Sequence, residues 1–402
     1  MRVAKYMHQQ DNESSMKDQV QSSQKIAFLS PTFPPDHCGV GDYTAHVCEE
    51  LVKAGHVLEV WTFQKNPKKS KEFSSHFHFL DRPLGISGFI KFFQELKKFD
   101  PQALVIQYTP YLFAPKRGIH LLLPLWILIL RVCFRIPILL MTHELHYPVE
   151  LSPAGVLLGF PQWLQYLCLT FVSTKVAFTY EAPFLRFKKW GKHKYTWIPV
   201  GANIQKTAQL LSADISVGQE IPPETRVLLH FGGAHPTNLI HFAFAALEEV
   251  LKKMKAKLVF VGIPDKKVQE ELLRTQFPHL KPSVSSVGYV TEEEASAWLL
   301  RADLVLAPYL DGVSTRRTSF MASLEHEKSV LTTQGYLTNP SIPWEDFSFI
   351  TATNPRLYAQ KALEILENPK FSNKMSEKGA QYYQGNFAWA KIAQAYLDHL
   401  KL

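Results

Sequence analysis

The chain has 402 residues, more than one ordinary hydrophobic core holds, and the length predicts two domains. Its 46% hydrophobic and 20% charged residues are typical of a globular protein, and four cysteines without C-x-x-C spacing argue against a disulfide framework or a zinc site. The net charge of +8 lies in residues 1–200, with 23 Lys and Arg against 15 Asp and Glu, which predicts either an anionic partner or a solvated basic surface.

Residues 1–24 are polar and aperiodic, and we interpret them as a disordered tail without the apolar run of a signal peptide. A buried strand is predicted at 25–30, and a loop that ends in Gly39-Val40-Gly41 follows it. A helix is then predicted over 42–54 and a second strand over 56–63. Strand, glycine loop, helix and strand form a βαβ unit, which is typical of a parallel sheet.

Apolar strands and amphipathic helices alternate as far as residue 203. The further strands are predicted at 103–108, 136–142, 175–179 and 197–200, and the helices at 88–98, 118–133 and 162–171. The run 121–130, LLLPLWILIL, is too short to span a bilayer. It predicts a core helix, with contact in the plane of a membrane as the alternative.

A polar segment, 204–224, is the predicted linker to a second series of strands and helices. The strands are predicted at 226–231, 257–261, 304–308 and 329–332, and the helices at 239–254, 292–300, 318–326, 358–366, 373–383 and 389–400. Two such series predict an α/β protein of two Rossmann-like, doubly wound domains that face each other across a cleft.

The segment between the strand 304–308 and the helix 318–326 has the composition of an anion site. It contains Asp311, Gly312, Ser314, Arg316 and Arg317. Ligands bind outside the carboxyl ends of parallel strands and beside helix N-termini, so the two arginines predict a phosphate-bearing small molecule. The alternative is that both arginines form surface or interdomain salt bridges.

Two other segments could face the same cleft. The Gly39-Val40-Gly41 loop lets backbone amides approach a phosphate or a sugar, but it is neither a P-loop nor a full dinucleotide fingerprint, and a tight turn without a ligand is the alternative. His143 ends a predicted strand and could donate a hydrogen bond to a substrate or a developing charge. His146 lies three residues on, not the four of a helical zinc motif, so no metal is expected.

Basic residues alternate with aromatic ones over 186–194, RFKKWGKHK. We interpret this segment as a solvated helix end, with contact to lipid headgroups or an anionic acceptor as the alternative. It is short and lies among α/β elements, so nucleic acid is not an expected partner.

Several pieces in this order resemble the family-4 glycosyltransferases, which have the GT-B architecture. They include PTFPPDHCGVGDYTAHVCEELVKAGHVLEVWT, LLMTHE, LLHFGGAHPTN and VGYVTEEEASAWLLRADLVLAPYLDG. The resemblance implies that domain 25–203 binds the acceptor and that domain 225–386 binds a nucleotide-sugar donor. It also implies that the closing segment, 387–402, returns to the first domain, and that sugar is transferred with retention, without metal or cofactor.

Site residues follow from the resemblance by position. His143 matches the histidine at the donor sugar, Gly39 and Gly41 match the glycine loop near the diphosphate and acceptor, and Gly232 and Gly233 belong to the donor side. The family's arginine and lysine after the first strand of the second domain fall at His235 and Asn238, and its two glutamates fall at Ser314 and Ala322.

These departures lead to a hypothesis about where the charge has moved. Arg316 and Arg317 would neutralise the diphosphate, with Ser314 beside them, and Glu325, three residues beyond Ala322, would contact the ribose. The expected function is transfer of a sugar to a glycan, lipid-linked or cell-envelope acceptor. The alternative is a catalytically silent GT-B scaffold; a GT-B epimerase would need cleft carboxylates that the sequence does not suggest. The expected location is cytoplasmic, with peripheral contact at the inner face of an anionic membrane.

Overall fold

The structure is a computed structural model that describes residues 23–35, 38–63, 76–81, 84–147, 149, 151–191, 193–206 and 217–400. The predicted tail, apart from residues 23 and 24, lies outside the described residues, and so do residues 207–216 of the predicted linker.

The first domain is built on a parallel sheet of seven strands in the order β3-β2-β1-β4-β5-β6-β7. The strands are β1 (Lys25–Leu29), β2 (Val57–Thr62), β3 (His76–Phe79), β4 (Ala103–Tyr108), β5 (Ile138–Thr142), β6 (Lys175–Phe178) and β7 (Tyr195–Trp197). Each side chain of β4 and β5 is buried, as expected for strands that helices cover on both faces.

The second domain is built on a parallel sheet of six strands in the order β10-β9-β8-β11-β12-β13. The strands are β8 (Arg226–Phe231), β9 (Ala256–Val261), β10 (Val284–Gly288), β11 (Leu304–Ala307), β12 (Val330–Thr333) and β13 (Phe349–Thr351). Two doubly wound α/β domains are therefore present, and the predicted fold class is confirmed.

Helices cover both sheets. In the first domain they are α1 (Gly39–Lys53), α2 (Ile86–Phe99), α3 (Pro110–Phe113), α4 (Leu123–Phe134), α5 (Phe160–Val172), which a π-helical turn (Gly155–Gly159) precedes, and α6 (Glu181–Phe187). In the second they are α7 (Ile240–Leu251), α8 (Asp265–Arg274), α9 (Glu292–Arg301), α10 (Thr318–Glu325), α11 (Pro355–Glu367), α12 (Pro369–Asn386) and α13 (Trp389–Leu400). Thr291 caps α9 in a reciprocal capping box with Glu294, which confirms the cap expected from the sequence.

The structure corrects several sequence-based boundaries. Helix α1 begins at Gly39, so Gly39-Val40-Gly41 forms its first turn and not a loop. A Cβ on Gly41 would lie 3.2 Å from the Phe33 Cα. This close contact with the segment before the helix explains why position 41 is a glycine even though it lies in a helix. Strand β7 ends at Trp197, whereas the prediction continued through the proline to residue 200.

The two domains share one continuous core cluster, to which the closing helix α13 contributes. Tyr396 on α13 is fully buried against Phe28 and Tyr43 of the first domain, with ring centroids 6.3 and 6.4 Å away, and the Gln107 amide donates to its hydroxyl at 3.3 Å. The indole of Trp389 donates to the Ala202 carbonyl at 2.9 Å. The last helix of the chain thus packs on the first domain.

A second contact between the domains is made by Thr315, which lies in the segment between β11 and α10. Its carbonyl accepts from the Val200 amide at 3.0 Å, and its hydroxyl donates to the Thr179 carbonyl at 2.7 Å. Nearby, Ser341 donates its hydroxyl and its amide to the Glu181 carboxylate at the start of α6. These bonds hold the carboxyl edge of the second sheet against the first domain.

Two glycines let the segment after β11 pack against the segment after β12. Gly312 has a φ of 83°, and a Cβ there would lie 2.2 Å from the Gly335 nitrogen. A side chain at this position would meet both backbone strain and a collision with neighbouring backbone.

We expect Gly312→Ala to lower the free energy of unfolding by about 2–4 kcal/mol, because it adds left-handed strain and overpacking. The matched control is Gly385→Ala near the end of α12, where a Cβ would meet no described atom within 4 Å. Thermal unfolding midpoints of the two variants measure the difference. Equal midpoints for both would contradict the packing described here.

Candidate functional site

The candidate site lies where the strand order of each sheet reverses, between β1 and β4 in the first sheet and between β8 and β11 in the second. At such points the loops that follow neighbouring strands diverge, and ligands bind in the crevice between them. The residues that follow β1, β5, β8 and β11 provide its polar groups.

On the first domain, the first turn of α1 presents backbone donors. The Asp42 amide makes the first bond of the helical ladder, to the Cys38 carbonyl at 3.0 Å. The amides of Gly39, Val40 and Gly41 precede that bond and have no partner within the helix. They form the positive end of the helix dipole at the carboxyl edge of the sheet.

His143 follows β5 and is held by two neighbours. Its Nε2 lies 2.8 Å from the Gln107 Oε1, and its ring meets the Tyr43 ring edge-on at 4.9 Å between centroids. The Gln107 amide nitrogen donates to Tyr396, so the amide oxygen faces the imidazole and Nε2 carries the proton.

Burial lowers the pKa of His143 to about 3, so the ring is neutral at physiological pH. The Nε2 donor is engaged by Gln107, and Nδ1 is the acceptor of the neutral ring. With Nε2 facing Gln107, the ring offers a ligand hydroxyl an acceptor at Nδ1, whereas the sequence analysis expected a donor; the role of His143 toward a ligand stays a prediction.

The carboxyl group of Glu144, next to His143, interacts electrostatically with Arg316 of the second domain. Burial raises the pKa of its carboxyl group, and the positive charge of Arg316 opposes that rise. His146 makes a local contact, with its Nδ1 2.7 Å from the Tyr147 carbonyl oxygen. Within the ranges that the structure describes, no three His, Cys, Asp or Glu side chains form a group able to hold a metal ion.

On the second domain, the central feature is an ion triad around Asp311. The carboxylate is fully buried, with one oxygen bonded to the Arg316 guanidinium and the other 2.5 Å from the Arg317 Nη2. Both arginines are thus paired with a buried partner of their own domain, and not in the surface or interdomain salt bridges of the alternative. The triad retains one net positive charge.

Each guanidinium is also fixed by an aromatic ring. Arg317 lies 4.2 Å from the centroid of Tyr309 and donates to the Thr237 hydroxyl at 2.9 Å. Arg316 lies 5.2 Å from the centroid of Tyr180, which belongs to the first domain. Neither Nε–H has a partner among the described residues, but both Nε atoms are buried, so a ligand would meet the exposed parts of the side chains, 28% of Arg316 and 12% of Arg317.

The turn after β8 lies beside this triad. Gly232 has a φ of 128°, and a Cβ there would lie 3.1 Å from the Ser319 hydroxyl at the start of α10. The Gly233 carbonyl accepts from the Asn238 side chain at 3.0 Å. His235 accepts at Nδ1 from Thr237, and burial followed by the charges of Arg317 and Arg316 lowers its pKa, which keeps it neutral.

The structure therefore brings together Gly232, Gly233, His235, Arg316 and Arg317 on the second domain, with His143 and the first turn of α1 across the cleft. Asp311 is the residue whose role the sequence analysis missed. It was noted in the same segment, but only its burial between two arginines shows that it orients them.

Two predicted residues lie elsewhere. Ser314 is fully buried beside Thr315 in the contact between the domains. Glu325 ends α10, about 12 Å along the helix axis from Arg317 at eight residues' rise. Its carboxyl group is influenced by Tyr383, Lys206 and His46, so it lies at the linker and the structure does not bring it to the arginines.

The comparisons with known proteins agree with this architecture. Residues 225–368 match the family model described as "Glycosyl transferases group 1". No curated protein matches the chain in sequence.

Solved structures match over nearly the whole chain. HepE from Anabaena, solved with UDP and glucose, has 14% identity and a TM-score of 0.68 over 94% of this chain and 100% of its own. Sucrose-phosphate synthase from Thermosynechococcus elongatus has 17% identity and a TM-score of 0.69 over 93% and 98%. A glycosyltransferase from Rickettsia africae has 13% identity and a TM-score of 0.67 over 94% and 98%. At these identities the likeness establishes the GT-B fold.

The buried Glu325 gives a prediction for pH dependence. Burial raises its pKa from 4.5 to about 7, so the folded state binds this proton more tightly than the unfolded state. The stability it contributes is complete below about pH 4.5 and is lost as pH rises through 7. Glu325→Gln should therefore gain roughly 1–2 kcal/mol over the wild type between pH 5 and pH 8, after discounting for partial exposure.

Urea unfolding of both proteins at the two pH values measures this gain. The control is Glu327→Gln, two residues on, whose exposed carboxylate pairs with Lys206 at 2.7 Å. A difference between wild type and Glu325→Gln that does not change with pH would be inconsistent with an uncharged carboxyl at the linker.

Proposed function

From a second domain that matches the group 1 glycosyl transferases and a chain with the GT-B fold, we propose that this protein is a glycosyltransferase. It moves a sugar from a nucleotide-sugar donor to a glycan, lipid-linked or cell-envelope acceptor, with retention and without a metal or other cofactor. The second domain binds the donor and the first domain binds the acceptor.

The observation that carries the proposal is the ion triad of Asp311, Arg316 and Arg317 at the carboxyl edge of β8 and β11. When a glycosyl bond to a diphosphate breaks, negative charge grows on the departing oxygens. Fixed cationic donors in a partly dry cleft stabilise that charge without having to reorganise. Asp311 and the two aromatic rings hold both guanidinium groups in place before a ligand arrives.

The other groups have complementary roles in this proposal. The Gly232-Gly233 turn and His235 lie beside the diphosphate, and the amides at the start of α1 face it from the other side of the cleft. His143 accepts a hydrogen bond from a hydroxyl of the donor sugar at Nδ1. Solved complexes of HepE contain UDP-glucose and UDP, which supports a nucleotide sugar as the donor class.

The acceptor class rests on charge. The excess of Lys and Arg lies in residues 1–200, the half that forms the acceptor domain, and it favours an acceptor that carries phosphate or is held at an anionic surface. We place the protein in the cytoplasm, in peripheral contact with the inner face of the membrane.

A second function, a silent GT-B scaffold, is favoured by the pairing of Asp311. This carboxylate cancels one of the two positive charges, and the positions of the usual arginine and lysine hold His235 and Asn238. A scaffold would bind no nucleotide sugar or would bind it without turnover. Hydrolysis of a panel of UDP, GDP, ADP and dTDP sugars distinguishes the two functions.

We expect Arg316→Gln to weaken binding of the cognate nucleotide about 10- to 100-fold, because one charge-assisted contact to the diphosphate is lost. This single change leaves Arg317 paired with Asp311, whereas removing both arginines would strand a buried carboxylate. Calorimetric titration with UDP, GDP, ADP and dTDP measures the affinity.

The matched control is Arg226→Gln, which removes the arginine of another Arg–Asp pair of the same domain, 2.9 Å from Asp303 at the opposite edge of the sheet. It should leave nucleotide affinity unchanged. Equal affinities for the wild type and Arg316→Gln would refute the arginine assignment. Nucleotide-sugar binding by the wild type without hydrolysis or transfer would favour the scaffold.

A further inference from the structure

Helix α4 of the first domain has an apolar surface that is exposed and does not pack in the core. Leu121, Leu125, Leu128 and Val132 are 71%, 49%, 42% and 64% exposed. Leu121 lies in the turn just before α4, and with spacings of four, three and four residues the four side chains form one stripe along the turn and the helix. The opposite side of the helix, with Leu123, Trp126, Ile127 and Leu130, is buried. The predicted core helix is therefore only half buried.

Helix α5 and the π-helical turn before it have a second stripe of the same kind. Leu157, Phe160, Leu164 and Phe171 are 69%, 51%, 47% and 81% exposed. The two helices are in contact with each other. We call the combined exposed side of α4, the π-helical turn and α5 the outer helical face; isolated exposed leucines are common on proteins, but two adjacent stripes form a contiguous patch.

Charge surrounds the outer helical face but does not enter it. No Asp, Glu, Lys or Arg occurs in 118–130 or in 151–174. At one end of the helices, the exposed Arg131 donates to the Val172 carbonyl at 2.9 Å and Lys194 donates to the Phe171 carbonyl at 3.2 Å. At the other end, before α4, lie the exposed Lys116 and Arg117.

The sequence around the outer helical face also has a positive net charge. Residues 101–194 contain ten Lys and Arg against three Asp and Glu. Among them are Lys188 and Lys189 in the short turn after α6, next to Trp190, which is 68% exposed. An apolar centre with basic and aromatic margins matches the layers of an anionic bilayer, with acyl chains below and headgroups above.

Helix α5 is built into the domain along its other side. One helix among the described residues, Gly155–Val172, has the length and apolar composition to cross a membrane. However, the Gln162 side chain accepts from the Tyr147 amide at 2.7 Å, and the Gln165 side chain donates to the Tyr108 hydroxyl at 3.0 Å. These buried polar bonds would break if the helix left the domain, so it can lie in a membrane surface but not span it.

We propose that the outer helical face docks this protein in the plane of an anionic lipid bilayer. Lipid fits better than a second copy of the chain, because two copies meeting at this face would bring basic margins of like charge together. The docking does not depend on sugar transfer and holds for either function considered above.

The position of the face also has a consequence for the cleft. In a parallel α/β sheet each helix starts at the carboxyl edge of the strand before it, so α4 and α5 both start at the edge where His143 lies. The segment from His143 to α5 has Val149 and Leu151 exposed at 51% and 105%. Docking in the membrane plane therefore places the open side of the first domain at the lipid surface.

The test is co-sedimentation of the full chain with phosphatidylcholine vesicles, with and without phosphatidylglycerol. We expect binding to the anionic vesicles that weakens as salt is raised. Leu157→Glu should lower the partition coefficient about tenfold or more, because a leucine that was buried in acyl chains becomes charged. Lys116→Gln and Arg117→Gln should each lower the partition coefficient about fivefold.

The control is Leu273→Glu on α8, since Leu273 and Leu157 are both 69% exposed. Leu125→Glu and Leu357→Glu, both at 49%, form a second matched pair on the same design. All four variants should keep the thermal unfolding midpoint of the wild type, which shows that they are folded whether or not the protein binds a nucleotide. Where the wild type binds one, its affinity should also be unchanged, which separates this proposal from the donor site.

Absence of binding to anionic vesicles, or equal loss in Leu157→Glu and Leu273→Glu, would overturn the proposal. A dimer in light scattering that Leu157→Glu dissociates would also overturn it in favour of self-association. Release of the bound protein by alkaline carbonate is expected for an in-plane contact, whereas resistance to release would indicate a spanning helix.

Discussion

The interaction on which the site depends is the fully buried carboxylate of Asp311 between two guanidinium groups. A buried carboxylate is costly without partners, and here each of its oxygens has one. The same pairing fixes Arg316 toward Tyr180 of the first domain and Arg317 over Tyr309. The pairing with Asp311 thus fixes the positions of both guanidinium groups at the edge of the second domain, and it leaves the triad with one positive charge toward the cleft.

This edge is held against the first domain by neighbouring bonds. Thr315, next to Arg316, bonds to the backbone of Thr179 and Val200, and Ser341 bonds to Glu181. The residues that would meet an anionic ligand therefore lie next to residues that join the domains. Arg316 and Thr315 are neighbours in the chain, so the backbone that positions the guanidinium group is the same backbone that is bonded to the first domain.

The architecture could be predicted because the central strands are buried on both faces and read as continuous apolar runs. The strands β3, β10 and β13 were missed since they lie at the sheet edges, and β3 and β10 are only partly buried. Helix α8 was missed because only Val268 and Leu272 of its ten residues are buried. The apolar periodicity that identifies a helix or a strand in the sequence is weak in elements with few buried residues.

The side chains of the candidate site could be proposed from the sequence, but the ion pairs among them could not. The loop after β11 was proposed from the carboxyl end of a predicted strand beside a helix start, and the loop after β8 from the family resemblance. Five of the predicted residues, Gly232, Gly233, His235, Arg316 and Arg317, lie in these two loops. Asp311 and Glu325 show the limit of such reasoning. The spacing of three residues predicts that Glu325 and Ala322 share one face of α10. It could not show that Glu325 lies near Tyr383 and the linker residue Lys206. Which carboxylate meets which cation depends on tertiary packing.

The closing helix has an implication for the order in which the chain folds. Tyr396 and Trp389 fill space beside Phe28, Tyr43 and Ala202, which all belong to the first domain. During synthesis the first domain emerges long before these residues do, although domains generally begin to fold as they emerge. The first domain therefore lacks part of its core until α13 has been synthesised, and the second domain, which precedes α13 in the chain, emerges while its neighbour is still incomplete.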